Sequence, residues 1–358
     1  MLNWPGFLKW SLSHQDKTED TKIPKMTQEQ QKWLEQVIKE SSMDQNKELK
    51  ATLDQMVEIT SQIQKEEDKQ KEENLSILME NLRELLSNLD AGINFTKMGG
   101  VIFLLDKACV KKLPLSFRYE CLSILMEIAQ NNDFVQKMLL NHRFTRLVGL
   151  LMENPSDCKM QYRVVGALKA IIGGKNVVMK RMLLESQVFG VKAQIPCMQM
   201  IVHRLRTKAD DKTIKRGLML LEDLYRYRPY MVKKMDAVPN ENIKAEIFPD
   251  HKEFLKIKKR YLPMDIQAIE LTKKIINKNF ENLNAFEKND LGFKLNFFYF
   301  LRSFLKNVEK NEQTKDRLSE LGVMLKRVFN MIIQSGNNID SELKNLIFES
   351  IKISKTIN

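Results

Sequence analysis

The stretch that decides the fold is residues 74–105, NLSILMENLRELLSNLDAGINFTKMGGVIFLL. Its first half places apolar residues at the i, i+3, i+4, i+7 spacing of a helix with one buried face. These residues are Leu75, Leu78, Met79, Leu82, Leu85, Leu86 and Leu89. A break at residues 95–100 contains two glycines, and an apolar run from Val101 to Leu105 follows it. The order of helix, break and apolar run predicts a compact unit of short packed helices.

The same order returns downstream, at residues 121–153, 163–184 and 218–235. Each copy carries a basic residue followed by methionine, at Lys97-Met98, Lys137-Met138, Arg181-Met182 and Lys234-Met235. The intervals between these pairs are 40, 44 and 53 residues. The first two match the period of armadillo or HEAT repeats. The longer third interval predicts an insertion, most simply in residues 192–212.

The fold class predicted from this period is all-α, an armadillo- or HEAT-like right-handed helical solenoid of about four repeats with helical caps at both ends. A repeat of this length cannot bury its apolar face alone and must stack on its neighbours. The predicted parts are a flexible segment 1–25, a helical cap and charged linker 26–73, armadillo-like repeats 74–247 and a C-terminal helical extension 248–358.

The flanking regions carry weaker helical signals. Thr27-Gln28-Glu29-Gln30 is a capping box, which predicts that a helix follows. Its expected apolar face is Trp33, Leu34, Val37 and Ile38, and a second stripe is Leu49, Leu53, Met56, Val57 and Ile59. The charge run 64–73 is either a solvated linker, the favoured interpretation, or an exposed helix. Five further helices are predicted at Phe254–Tyr261, Ile266–Ile276, Leu291–Val308, Leu318–Ile333 and Ile339–Ile353.

Charge is unevenly divided along the chain. Residues 1–100 hold 13 Lys and Arg against 18 Asp and Glu, and residues 101–358 hold 45 against 28, so the net charges are −5 and +17. A basic body favours an acidic protein, a nucleic acid or a membrane surface as partner. The basic clusters 204–206, 226–228 and 256–261 are short and lie within amphipathic helices, so a continuous stripe for phosphates is not evident.

Several classes of site are missing from the sequence. The cysteines Cys109, Cys121, Cys158 and Cys197 are far apart and form no C-x-x-C pair, which favours reduced thiols in a cytoplasmic protein. No phosphate-binding glycine loop, G-x-S-x-G motif or paired histidine spacing occurs, and no apolar run is long enough to span a membrane. We therefore expect a binding protein without catalytic activity, metal or cofactor.

The N-terminal residues are more specific than the repeats. Trp4, then Phe7-Leu8-Lys9-Trp10-Ser11-Leu12-Ser13-His14, then Met26 to Leu34 resemble the opening of the cytosolic armadillo-type nucleotide-exchange factors of the seventy-kilodalton heat-shock chaperone. Residues 88–100 resemble the first repeat junction of that family, and residues 128–132 resemble the second. The resemblance covers about residues 3–240. Departures are Asn141-His142 where the family has glycine, Lys17 where it also has glycine, and the insertion at 192–212.

The resemblance implies a monomeric co-chaperone. Its concave face would bind the nucleotide-binding domain of the chaperone and promote ADP release, and its N-terminal segment would aid release of the client polypeptide. The candidate residues for client release are Leu8, Lys9, Trp10, Ser11 and His14. The candidate groove residues, expected on outward faces of the repeats, are Asp106, Lys107, Arg143, Arg146, Leu150, Arg163 and Lys169.

Two other functions stay open. A general armadillo scaffold or adaptor would bind extended peptides, usually through Asn and Trp placed regularly along its groove. All three tryptophans, Trp4, Trp10 and Trp33, precede the repeats, which argues against that version. A nucleic-acid-binding solenoid is the third possibility.

Overall fold

The computed structural model describes residues 28–63, 69–141, 145–154, 156–173, 197–232, 251–308, 311–334 and 340–354. All regular secondary structure in these ranges is helical, with no strand among them, so the predicted all-α class is confirmed for this part of the chain. The chain divides into two compact units, Met1–Glu48 and Leu49–Asn358.

The described helices are numbered here in chain order. In the first half they are α1 Gln28–Gln62, α2 Lys69–Leu85, α3 Leu89–Lys97, α4 Gly100–Ala108, α5 Leu115–Ala129, α6 Asp133–Asn141, α7 Arg146–Glu153 and α8 Cys158–Ile172. In the second half they are α9 Cys197–Thr207, α10 Asp211–Val232, α11 His251–Asn279, α12 Leu283–Lys288, α13 Leu291–Asn307, α14 Glu312–Gln334 and α15 Ser341–Ser354.

In the unit Met1–Glu48, the described residues 28–48 are all helical and belong to α1. A helix directly after the capping box is therefore confirmed. Trp33 was expected on a buried apolar face, but 51% of it is exposed. The side chains of Leu34, Val37 and Ile38 lie outside the described residues, as do residues 1–27.

In the larger unit, the second apolar stripe is mostly buried. Leu49, Leu53 and Met56 are in the core, whereas Val57 is 45% exposed, so its assignment to the stripe is wrong. Val57 follows Met56 directly, and neighbouring residues on a helix are about 100° apart, which turns it to the surface. In the charge run 64–73, residues 69–73 begin α2, so for them the helix alternative holds and the linker does not.

The junction between α3 and α4 depends on its own side chains. Asn88 caps α3 by accepting a 2.8 Å hydrogen bond from the backbone N–H of Ala91. This cap separates α2 from α3, so Leu89 begins a new helix and is 57% exposed instead of ending the buried stripe of α2. Gly99 turns the chain with a φ of 84°, a conformation that glycine adopts without steric cost. At Gly100 an added Cβ would lie 2.3 Å from the Phe95 ring.

Most of the helices of the larger unit pack in two rows. In the first row α2, α5, α8, α10, α13 and α15 each pack on the next. In the second row α7, α9, α11 and α14 each pack on the next. The rows are joined by contacts such as α7 with α8 and α14 with α15. The long helices α5, α8, α10, α11, α13 and α14 therefore each pack on at least two neighbours.

Helices α9 and α10 lie where the insertion and the fourth repeat were predicted. Residues 197–207, within the proposed insertion, form α9, which takes a regular place in the second row. Residues 218–235 were expected to contain a helix, a break and an apolar run, but α10 is continuous through Pro229 to Val232. A proline this close to a helix end removes only one backbone hydrogen bond. The basic–methionine pairs at 181–182 and 234–235 lie outside the described residues.

The C-terminal region extends both rows instead of only closing them. Helix α11 joins two predicted segments and contains Pro263. Helices α13 and α14 pack on α10 and α11. Much of the core here is aromatic, formed by the buried rings of Phe280, Phe293, Phe297, Phe298, Phe300 and Phe304.

Candidate functional site

The predicted groove residues do not form one cluster. Asp106 of α4 and Arg146 of α7 are joined by an ion pair, and the Lys107 ammonium lies 5.4 Å from the centre of the Phe103 ring. Leu150 was expected to face outward, but only 3% of it is exposed. That prediction is wrong, because α7 packs on both α8 and α9 and buries two of its faces. Arg143 lies outside the described residues.

Arg163 belongs to a separate charged network on the first row. Its guanidinium lies 5.0 Å from the centre of the Tyr119 ring, and its Nε donates a 3.0 Å hydrogen bond to the Ser123 hydroxyl. The same network includes Glu120, whose carboxylate accepts a 2.7 Å hydrogen bond from Arg83 of α2. Arg163 thus links α8 to α5, and three successive helices of the row are connected through polar side chains.

Lys169, also on α8, lies in a cleft that sequence reasoning did not anticipate. Two adjoining cavities of about 320 Å³ and 420 Å³ share Lys169, Met219 and Asp223. The first cavity is bounded by α5, α6, α8 and α10, and the second by α8, α10 and α13. The cleft therefore follows the first row of helices across several neighbours.

Arg216 is the most constrained cation of the first cavity. Its guanidinium lies 3.6 Å from the centre of the Tyr162 ring, and Nη1 contacts the sulfur of Met126 at 3.0 Å. Within the described residues no carboxylate pairs with it. Burial lowers the pKa of Arg216, and the nearby Arg163 charge lowers it further, although an arginine stays protonated throughout the physiological range.

Gly166 makes the position of Arg216 possible. It lies in the middle of α8, where a Cβ would meet Nη1 of Arg216 at 2.2 Å and the Met126 sulfur at 2.7 Å. Glycine costs a helix interior about 1 kcal/mol relative to alanine. The missing side chain leaves room for the guanidinium. The helix therefore accepts this cost at the position where Arg216 approaches α8 most closely.

The remaining wall of the first cavity is polar. Gln136 is 2% exposed, and its amide nitrogen donates to the carbonyls of Ala129 at 2.8 Å and Ala170 at 2.9 Å. Its carbonyl Oε1 is buried and has no hydrogen-bond partner among the residues that the structure describes. Asn131 adopts a positive φ of 58° beside it. These groups give the cavity hydrogen-bonding capacity as well as charge.

The second cavity has compensated charges. Arg226 forms ion pairs with Glu222 at 3.2 Å and with Asp223, and Glu222 also accepts a 3.2 Å hydrogen bond from Ser303. Burial raises the pKa of Glu222 above its usual value, and the Arg226 charge opposes that shift. Among the described residues that line the cleft, the cations without an ion-pair partner are thus Lys169 and Arg216.

Other site types are not seen in the described residues. No group of His, Cys, Asp and Glu there could hold a metal ion. None of the described helices has the length and apolar character that a membrane span requires. The client-release candidates Leu8, Lys9, Trp10, Ser11 and His14 fall outside the described ranges.

Comparison of the chain with protein-family models, with curated proteins and with solved structures gave no match.

Proposed function

We propose that this chain is a cytoplasmic co-chaperone that binds the nucleotide-binding domain of a seventy-kilodalton heat-shock chaperone and promotes ADP release. The observation that carries the proposal is the packing of the helices in two rows, in which each long helix stacks on the next. Stacked helices of this kind present extended surfaces for binding another protein. An armadillo-type arrangement would place the partner along one such surface.

The sequence resemblance supplies the identity of the partner. Its first repeat junction coincides with the α3–α4 turn, where Asn88 caps α3 and Gly99 adopts a positive φ. Those two residues are part of the resembling segment, so the likeness extends to residues with a structural role. The charge of +17 over residues 101–358 supports an acidic partner, because opposite charge speeds association.

The proposed mechanism requires no catalytic group in this chain. ADP release follows if the surface binds the open form of the nucleotide-binding domain more tightly than the closed form. A shift from about 1% to about 99% open needs roughly 10⁴-fold tighter binding of the open form. The candidates for that contact are the half-buried Lys107 and the half-buried Asp106–Arg146 pair on α4 and α7.

The test uses the full chain and a cytosolic heat-shock chaperone loaded with a fluorescent ADP analogue. We expect stoichiometric addition to accelerate the loss of bound-nucleotide fluorescence when excess ATP is present. Lys107→Glu should weaken the acceleration. The control change Lys326→Glu, at an exposed residue of α14, should leave the acceleration unchanged. If the release rate stays at its intrinsic value, the proposal is wrong. Binding to the chaperone without acceleration would favour the scaffold alternative.

A further inference from the structure

We propose that the cavity between α5, α8 and α10 binds a carboxylate of an acidic segment in a partner protein, with Arg216 and Lys169 as its two anchors. This deepens the proposed function, since it rests on the chain being a protein-binding module. The partner is defined by chemistry as a flexible polypeptide carrying Asp or Glu side chains.

The first step of the argument is the state of Arg216. A guanidinium that is partly removed from water is normally paired with a carboxylate. Here it is stacked on Tyr162 at 3.6 Å from the ring centre. Among the described residues its further hydrogen-bond contacts are only a thioether and, at 3.4 Å, the Tyr162 carbonyl. Stacking fixes the plane of the guanidinium and leaves hydrogen-bond donors unused. Such an arginine is pre-organised to bind a carboxylate through two parallel hydrogen bonds.

The second step is that two independent features converge on the same cavity. Lys169 lines it from α8 and has no ion-pair partner within the described residues. The buried Oε1 of Gln136, in the same wall, accepts no hydrogen bond from any described residue. A polypeptide offers both complements, because its acidic side chain accepts hydrogen bonds and its backbone N–H donates one. A simple inorganic anion offers only the first.

The third step decides whether the cavity is better suited to a single carboxylate or to a polyanion such as a nucleic acid. The cavity also contains Asp223, and the adjoining cavity contains Glu222. A nucleic acid following the cleft would bring successive phosphates against these carboxylates, which repel them. A single carboxylate can be bound by Arg216 and Lys169 in the first cavity and does not have to extend along the cleft past Glu222. The charge pattern therefore favours an acidic side chain over a phosphate backbone.

Gly166 provides a variant that tests geometry without changing charge. In Gly166→Ala the new Cβ would overlap Nη1 of Arg216 at 2.2 Å, so the guanidinium must move. Its nearest neighbours are ends of flexible side chains, and alanine is a better helix former than glycine. The helix should therefore persist while the guanidinium shifts.

The experiment measures binding of a fluorescein-labelled, flexible peptide with spaced glutamates to the full-length chain by fluorescence anisotropy, at an ionic strength of about 0.15 M. We expect binding that is lost when the glutamates are replaced by glutamines. Arg216→Met, Lys169→Gln and Gly166→Ala should each weaken binding about tenfold, the loss expected for one charge-assisted hydrogen bond. The matched control Lys159→Gln, at an exposed position of the same helix, should leave binding unchanged.

Three results would overturn the inference. Equal weakening by Lys159→Gln and Lys169→Gln would mean that only net charge matters. Equal binding of the glutamine peptide would remove the carboxylate from the recognition. Displacement of the peptide by single-stranded RNA, with RNA binding insensitive to Gly166→Ala, would assign the surface to nucleic acid. Circular dichroism and thermal melting confirm that each variant is folded. No chaperone is present, so failure here is distinct from failure of the ADP-release test.

Discussion

A buried ion pair between α10 and α11 gives the sharpest prediction about stability. The carboxylate of Asp265 is fully buried and accepts hydrogen bonds from Nη1 of Arg228 at 2.8 Å and 3.0 Å and from the Tyr225 hydroxyl at 2.9 Å. Asp265→Asn keeps the shape of the side chain but removes its charge and turns one acceptor into a donor. The Arg228 guanidinium, whose side chain is only 5% exposed, would then lose its buried counter-charge.

The expected loss is about 3–5 kcal/mol, as when one partner of a buried ion pair is removed. A matched control connects the same two helices, because Asp211 and Lys278 form a 2.7 Å ion pair whose side chains are 51% and 54% exposed. Asp211→Asn should cost at most about 1 kcal/mol, since exposed pairs contribute little.

Urea unfolding followed by circular dichroism measures both effects as shifts of the midpoint. Hydrogen exchange of α10 and α11 then shows whether the loss of stability occurs in these two helices. This second measurement is needed because a chain of stacked helices need not unfold in one step. A loss below about 1 kcal/mol for Asp265→Asn would refute the assignment of a stabilising role to this pair. Equal midpoint shifts for Asp265→Asn and Asp211→Asn would also refute that role.

Three further predictions follow from the geometry. Because the pKa of Glu222 is raised in the folded state, the folded chain keeps the Glu222 proton at pH values where the unfolded chain has lost it, and its stability falls as the pH rises through that range. Glu222→Gln lacks this loss, so thermal melting from pH 4 to pH 7 should show the variant gaining stability relative to the wild type. A stability difference that stays constant with pH would contradict the raised pKa. Gly100→Ala should cost about 1–3 kcal/mol in urea unfolding by overlapping the buried Phe95 ring, a cost that Phe95→Leu should partly relieve. Deleting residues 1–25 should leave ADP release intact and slow client release in a chaperone refolding assay, and equal loss of both activities would separate this chain from the family it resembles.

The sequence predicted those elements whose signal is local. The helical spacing around Leu75 and Leu82 depends only on which side chains face the core, and α2 has that face buried. The glycine pair at 99–100 also predicted the α3–α4 turn. The prediction was wrong at Leu150, because it assumed that α7 buries only one face and that Leu150 lies on the opposite, outward face. Helix α7 contacts two neighbours, and this is a property of the packing, which the residues of α7 do not encode.

The cleft could not be predicted for a similar reason. Arg216 and Gly166 are fifty residues apart and belong to different helices, and each has an ordinary explanation when considered alone. A lone glycine within the amphipathic pattern of α8 was the one available signal, since such a residue often marks a close approach. Only the packing of α10 on α8 shows that the approaching group is a guanidinium.

The two proposed contacts use different helices, and this makes their roles separable. The candidates for chaperone contact, Lys107 and the Asp106–Arg146 pair, lie on α4 and α7. The proposed carboxylate site lies on α8 and α10, between neighbours of the first row. If one partner occupies both, Gly166→Ala should reduce its affinity and slow ADP release in proportion. If the acidic segment belongs to a second protein, Gly166→Ala should weaken peptide binding about tenfold and leave ADP release unchanged. Measuring both activities on this one variant therefore distinguishes a single extended interface from two independent ones.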